Sequence, residues 1–276
     1  MSIINNNINN NNNCNSSRTN KNNNNIIQII PVHLSIDIKP QDNLDMVILE
    51  SVKHAQVNLY DRDIVVIAQK IVSKAEGRII NLDHIKPSAK SLAIAKENDK
   101  DARIVELILN ESKEILRLIK GILVVETKQG FICANAGIDQ SNVQDSHNHA
   151  LLLPVDADRS ANKIRDSLRK KTGKDVAVVI TDTFGRPFRE GQTNVAIGIA
   201  GIEPIKSYIG TTDMYGKKLK VTEIAIADEI ASAAELSMGK SDRVPIVILR
   251  GYKYQKADEK SSISKIIRSK EKDLFR

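Results

Sequence analysis

The sequence contains no tryptophan, and aromatic residues make up only 3% of its 276 positions. Stacking surfaces for single-stranded nucleic acid are built from aromatic rings, so that class of binder is disfavoured at the outset. Cysteine is almost as scarce, with Cys14 in a polar tract and Cys133 in an apolar one. Two such residues make no disulfide framework and point to a reducing, cytoplasmic setting. No apolar run approaches the roughly 18 residues that a membrane-spanning helix requires, and the N-terminus has no apolar core of a secretory signal. A membrane partner is therefore not expected. The G-x-G-x-x-G, G-x-S-x-G, H-E-x-x-H and C-x-x-C signatures are missing too. Gly239-Lys240-Ser241 suggests a phosphate loop, but Ala234 stands where that loop needs its first glycine, and a helical pattern precedes it instead of a strand.

What is present divides into two unequal parts. Residues 1–25 contain fourteen asparagines and too few apolar side chains to offset the entropy of ordering, so they are expected to be a disordered tail. One folded domain is expected over residues 26–276. The net charge of +7 is concentrated at the far end, where residues 251–276 carry eight Lys or Arg against four Asp or Glu. Such a tail is either a solvated surface or an attraction for anions such as nucleotides.

Apolar patterning places a first strand at Ile26–Val32 and a helix after Asp42, its N-cap. The stretch Asp63–Arg78 begins as a buried strand. Lys70, Ser73, Lys74, Glu76 and Arg78 then lie beyond its end, either as a phosphate-binding turn or as an ordinary solvated loop. Residues 88–119 read as helical, followed by a hairpin at Ile122–Thr127 and Phe131–Ala134. Ser160 is expected to cap a helix that ends at Gly173, and Thr222–Met238 reads as an Ala-rich helix. Val176–Ile180 and Val244–Arg250 complete the strands. Helices and strands are mixed without strict alternation, which points to an α+β fold with mixed β-sheets and flanking helices.

Two carboxylates stand out in this order. Asp182, flanked by Thr181 and Thr183, follows the Val176–Ile180 strand, and Asp139 follows the hairpin among small residues. Each is either a plain turn residue or a hard oxygen ligand of the kind magnesium or manganese takes. His147 and His149, two apart in a polar loop, fit solvent exposure better than metal binding.

Six ordered segments resemble the coenzyme F420-0:L-glutamate ligase family: SKAEGR at Ser73–Arg78, NAGIDQSNV at Asn135–Val143, TDTFGRPFREGQT running into VAIGIAG at Thr181–Gly201, DMYG at Asp213–Gly216, ADEIASAAELSMGK at Ala227–Lys240 and VPIVILRG at Val244–Gly251. The likeness runs from about Ile29 onward. It implies an acid–amino-acid ligase that uses GTP to join L-glutamate, through its amine, to the terminal carboxylate of the phospholactyl arm of a deazaflavin coenzyme. GDP and phosphate are released, and further glutamates can follow through γ-links. It also implies two divalent ions, magnesium or manganese, a helper potassium ion, and an intertwined homodimer with two interleaved subdomains in each chain.

By the same resemblance, Asp139 and Asp182 hold one divalent ion and Thr183 contacts the second. The nucleotide would meet Ser35, Ile36, Asp37 and Ile38, then Gln69, Lys70, Lys74 and Asn142, and finally Met238, Gly239, Lys240, Ser241, Asp242, Arg243 and Val244. No catalytic acid, base or nucleophile is assigned. The sequence departs from the family twice. Ser35–Ile38 reads SIDI where relatives have an apolar, often proline-containing segment, and Lys240 stands where some archaeal relatives place Glu or Gln as a ligand of the second ion. A metal-dependent phosphatase or nucleotide hydrolase using the same Asp pair is the competing reading, and a basic nucleic-acid binder the remote one.

Overall fold

A computed structural model describes residues 26–119, 121–141, 145, 147–258 and 260–273, so the expected tail at 1–25 lies outside the described residues. The chain runs β1 (Gln28–Val32), α1 (Leu44–His54), β2 (Ile64–Ala68), α2 (Gln69–Ala75), β3 (Ile79–Asn81), α3 (Ala89–Asn98), α4 (Ala102–Glu111), β4 (Ser112–Ile119), β5 (Ile122–Thr127), β6 (Ile132–Ala134) and β7 (His149–Leu151). It continues with α5 (Ala157–Thr172), β8 (Ala177–Phe184), β9 (Thr193–Ala200), β10 (Lys206–Ser207), β11 (Glu223–Ile224), α6 (Ile226–Met238) and β12 (Ile246–Arg250). Among the described residues no helix is long and apolar enough to cross a membrane.

The centre is a five-stranded sheet in the order β1-β12-β2-β8-β9, with β2 and β8 parallel and the other neighbours antiparallel. Its inner strands are continuous Val/Ile runs because both faces are covered. Side chains alternate across the sheet: Val65, Ile67, Val178 and Ile180 face a core shared with α1 and α5, while Ile64, Val66, Ala177 and Val179 face α6. Each fully buried Val or Ile is worth about 1.5–3 kcal/mol. The central sheet is thus the rigid part of the molecule. Gly198 of β9 is where α5 comes closest, since a Cβ there would lie 2.5 Å from the Ala157 carbonyl carbon. A second unit, the β4-β5-β6 sheet with α3 and α4, has its own core around Val105, Ile108, Leu123 and Val125.

The mixed α+β class holds, and several local expectations are corrected. Ser112–Ile119 is a strand, not the end of a helix. Ser112 turns extended at the end of α4, and β4 then pairs with β5 through two register shifts, so ladder hydrogen bonding overrides the helical spacing of Ile115, Leu116 and Leu118. Residues Gln69–Ala75 form a helix directly after β2 in place of a loop. Asn43, not Asp42, precedes α1, because the Asp42 carboxylate instead accepts the Lys39 backbone N–H at 2.7 Å. Asp156 caps α5 by accepting the Arg159 N–H at 2.9 Å, and Ser160 sits in the first turn, donating to Asp156 O and to Glu76. The last long helix begins at Ile226, since Glu223 and Ile224 pair with β10.

Candidate active site

The sheet topology gathers the site at one end. Register pairs Val32 with Ile246, Ile246 with Ile67, and Ala68 with Thr181, so the exits of β1 and β2, the entry of β12 and the outer part of β8 lie side by side. The backbone ties these segments together: Leu34 N–H donates to Arg243 O at 2.9 Å, and Ala68 N–H to Pro245 O at 2.8 Å. Between them opens a cleft of about 420 Å³ whose lining includes Asp37, Lys70, Lys74, Asp182, Thr183 and Lys240. The flat end of a buried sheet is where an α/β scaffold presents ligand-binding loops.

Asp182 is not beyond a strand end, as the sequence suggested. β8 continues through it to Phe184, paired with β9 after a register shift between Ile180 and Thr181. That irregularity re-aims the Thr181–Thr183 side chains. Burial, reinforced by the negative charge of Asp139, pushes the Asp182 carboxyl up to about 6, while the Thr183 N–H, Lys70 and Lys240 oppose the shift. Among the described residues Asp182 has no ion-paired Lys or Arg.

Asp139 arrives from the second unit. Its backbone exchanges hydrogen bonds with Leu151, N–H to O at 3.0 Å and O from N–H at 2.8 Å, which fixes the loop that follows the hairpin. Phe131 of that hairpin packs edge-on against Phe184, ring centroids 6.1 Å apart, and so anchors the second unit to the end of β8. The Asp139 carboxylate accepts Lys70 Nζ at 2.6 Å, the Ser141 N–H at 2.6 Å and the Ser141 hydroxyl at 3.1 Å. Burial pushes its carboxyl up, but Lys70 and the Ser141 N–H outweigh that and hold it below the usual carboxylate range. Two carboxyls that feel one another, with Asp139 held by Lys70, would together offer oxygen ligands to a single hard divalent ion. Among the described residues no three His, Cys, Asp or Glu come together as a ready-made metal cage. The remaining ligands would be water or phosphate oxygens, as magnesium prefers.

Thr183 belongs to a different arrangement. Its hydroxyl donates to Asn194 Oδ1 at 2.7 Å and accepts from Lys240 Nζ at 2.9 Å. Asn194 Nδ2 donates to Glu235 Oε2 at 2.9 Å, and Glu235 Oε1 lies 2.5 Å from Lys240 Nζ. The four side chains close a ring on the floor of the cleft. The sequence reading missed Asn194 and Glu235, and the only available signal was polarity inside the apolar β9 and α6 patterns. Gly239, at φ +58, ends α6 in a conformation that leaves Lys240 turned back toward Thr183. Thr183 Oγ1 and Glu235 Oε1, the oxygens a second divalent ion would use, are both in contact with the Lys240 ammonium.

The other expected nucleotide contacts divide into four groups. Ile36, Asp37, Ile38, Lys70, Lys74, Met238, Gly239, Lys240, Ser241, Arg243 and Val244 line the cleft. Burial pulls the half-buried Lys74 ammonium below its usual range, while Asp37 counteracts this. Gln69 lines the cleft too, but its buried side chain is committed elsewhere, donating to Ser73 Oγ at 2.6 Å and Leu152 O at 3.2 Å. Ser35 and Asp242 are exposed on the same two segments without lining the cleft. Asn142 lies outside the described residues. Of the proposed phosphate turn, Arg78 is spent on Glu111 at 2.7 Å and Ser73 is fully buried, so only Lys70 and Lys74 face the cleft. His149 Nδ1 contacts Asp145 alone, 3.2 Å from its carbonyl oxygen, and joins no cluster.

The model of the F420-0:gamma-glutamyl ligase family matches residues 34–251. A coenzyme F420:L-glutamate ligase of Methanothermobacter thermautotrophicus is 48% identical over 236 residues, covering 85% of this chain and 93% of that protein. Its namesakes in Methanocaldococcus jannaschii and Methanopyrus kandleri are 44% identical over 223 residues and 43% over 253. They share 80% and 91% of this chain and 88% and 98% of their own lengths.

Proposed function

The chain belongs to the F420-0:gamma-glutamyl ligase family, and we propose that it spends GTP to add L-glutamate, one or more through γ-links, to the terminal carboxylate of the deazaflavin coenzyme F420-0. Ligation of glutamate to that coenzyme is the activity of the family, and the chain is a ligase. The observation that carries the nucleotide part is the convergence of Lys70, Lys74 and Asp182 on one cleft at the end of the sheet, with Asp139 paired to Lys70 at 2.6 Å.

A carboxylate is a poor acyl donor. In the proposed sequence a coenzyme carboxylate oxygen attacks the γ-phosphorus, the bond to the β–γ bridging oxygen breaks, and GDP departs. The glutamate amine then attacks the acyl carbon, phosphate leaves, and the amine proton passes to solvent. Lys70 and Lys74 hold phosphate oxygens as positive point charges, and the rigid strand ends keep the reacting groups in line. A divalent ion, magnesium or manganese, held by Asp139 and Asp182, would neutralise charge on the β- and γ-phosphates. A potassium ion belongs to the same proposal.

The reading also includes an intertwined homodimer with interleaved subdomains. It is supported by large apolar side chains left open to solvent, with Met214 and Tyr215 each 88% exposed, Val221 84% and Leu236 85%. A monomeric mass in solution would contradict it.

The test is direct. Purified protein is incubated with glutamate-free coenzyme, L-glutamate, GTP and magnesium, and the product is weighed by mass spectrometry. A gain of whole glutamyl units, only with every component present, is expected. Phosphate release without an amine acceptor and without mass gain would replace the ligase by a hydrolase.

A further inference from the structure

We infer that the Lys240 ammonium takes the place of a second divalent cation, so that this chain binds one divalent ion per nucleotide. The inference rests on the nucleotide- and metal-dependent reading above and departs from the two divalent ions that the family resemblance implies.

The geometry carries it. Thr183, the residue expected to meet the second ion, accepts Lys240 Nζ at 2.9 Å, and the Glu235 carboxylate lies 2.5 Å from the same nitrogen. The Thr183 proton is directed to Asn194 at 2.7 Å, and Asn194 in turn donates to the second Glu235 oxygen at 2.9 Å. Asn194 is 4% exposed, so the ring is fixed from the buried side. A magnesium ion needs oxygen ligands at about 2.0–2.1 Å in near-octahedral array. To gain Thr183 and Glu235 it would have to displace the ammonium and then lie beside a positive charge of the same site.

The ammonium also performs part of what such an ion would do. It lines the cleft in which the phosphates would lie and adds positive charge there. It cannot organise several oxygens around itself with the geometry of a metal. The predicted consequence is a single-ion site in which a lysine supplies the second positive centre.

The test counts ions. Full-length protein and the Lys240→Gln and Lys240→Glu variants are each dialysed against manganese with β,γ-imido-GTP, a non-hydrolysable analogue, and bound manganese and nucleotide are measured. The expected ratio of manganese to nucleotide is one for the unaltered protein and two for at least one variant. A ratio of two in the unaltered protein overturns the inference. So does a ratio of one in all three, because Lys240 would then not be what excludes the second ion. If neither variant folds, the unaltered protein decides alone. No bound manganese or nucleotide on the unaltered protein would contradict the functional reading itself, and the inference would fall with it.

Discussion

Lys70 Nζ lies 2.6 Å from Asp139 Oδ2, joining a helix of the central sheet to a loop of the second unit. This contact brings a carboxylate from outside the sheet to the end of β8, and Asp139 and Asp182 become electrostatically coupled through it. Neither residue alone makes a site.

The first prediction follows from Asp182, whose carboxyl is raised to about 6 in the folded chain against an ordinary value near 3.9. A folded-state value above the unfolded one means that stability is fullest below about pH 4 and is lost as pH rises through about 6. With a chelator present, Asp182→Asn should therefore melt higher than the unaltered protein at about pH 8, with the gain fading toward pH 4. Thermal melts across that window check it. A gain that does not vary with pH would show that the buried charge is not the cause.

Cys133 gives a second one. Burial, and next the negative charge of Asp182, push its thiol up to about 12. The thiolate is the reactive form. In a Cys14→Ser protein, alkylation at about pH 8 should be negligible until denaturant is added, then rapid. Fast labelling of the native protein would contradict the burial of Cys133 within β6.

Gly198→Ala is the third. The added methyl would meet Ala157 backbone atoms at 2.5–2.6 Å, and backbone cannot turn aside as a side-chain end can. A cost of about 1–3 kcal/mol is expected, as for other overpacked sites. Urea melts measure it, and a neutral result would mean that α5 and β9 have room to separate.

The same contrasts show what was legible in the sequence. The continuous runs of β2, β8 and β12 could be read because strands covered on both faces need apolar residues without alternation. The resemblance located Asp139, Asp182 and the lysines, which the structure brings together. Asn194 and Glu235 stayed invisible because their meaning lies in hydrogen bonds across 41 residues of chain, which no local period encodes. The strand Ser112–Ile119 was misread for a related reason: its pairing with β5, not its own spacing, decides its conformation. Gln69 was expected to face the nucleotide, yet its amide is claimed by Ser73 and Leu152.

The most direct measurement is ligase turnover of the unaltered protein, Asp139→Asn, Asp182→Asn and the double variant, each titrated with magnesium, with Asp213→Asn as control. Asp213 is a turn residue whose carboxylate accepts the Tyr215 and Lys217 N–H groups, each at 2.9 Å. Metal-centred charge stabilisation is worth several kcal/mol, so each site variant should lose at least about a hundredfold in turnover. The double variant should be scarcely worse than either single one, because the two residues act as a unit. The control should be far milder. Near-normal turnover of Asp182→Asn at an unchanged magnesium requirement would contradict a metal shared between Asp139 and Asp182.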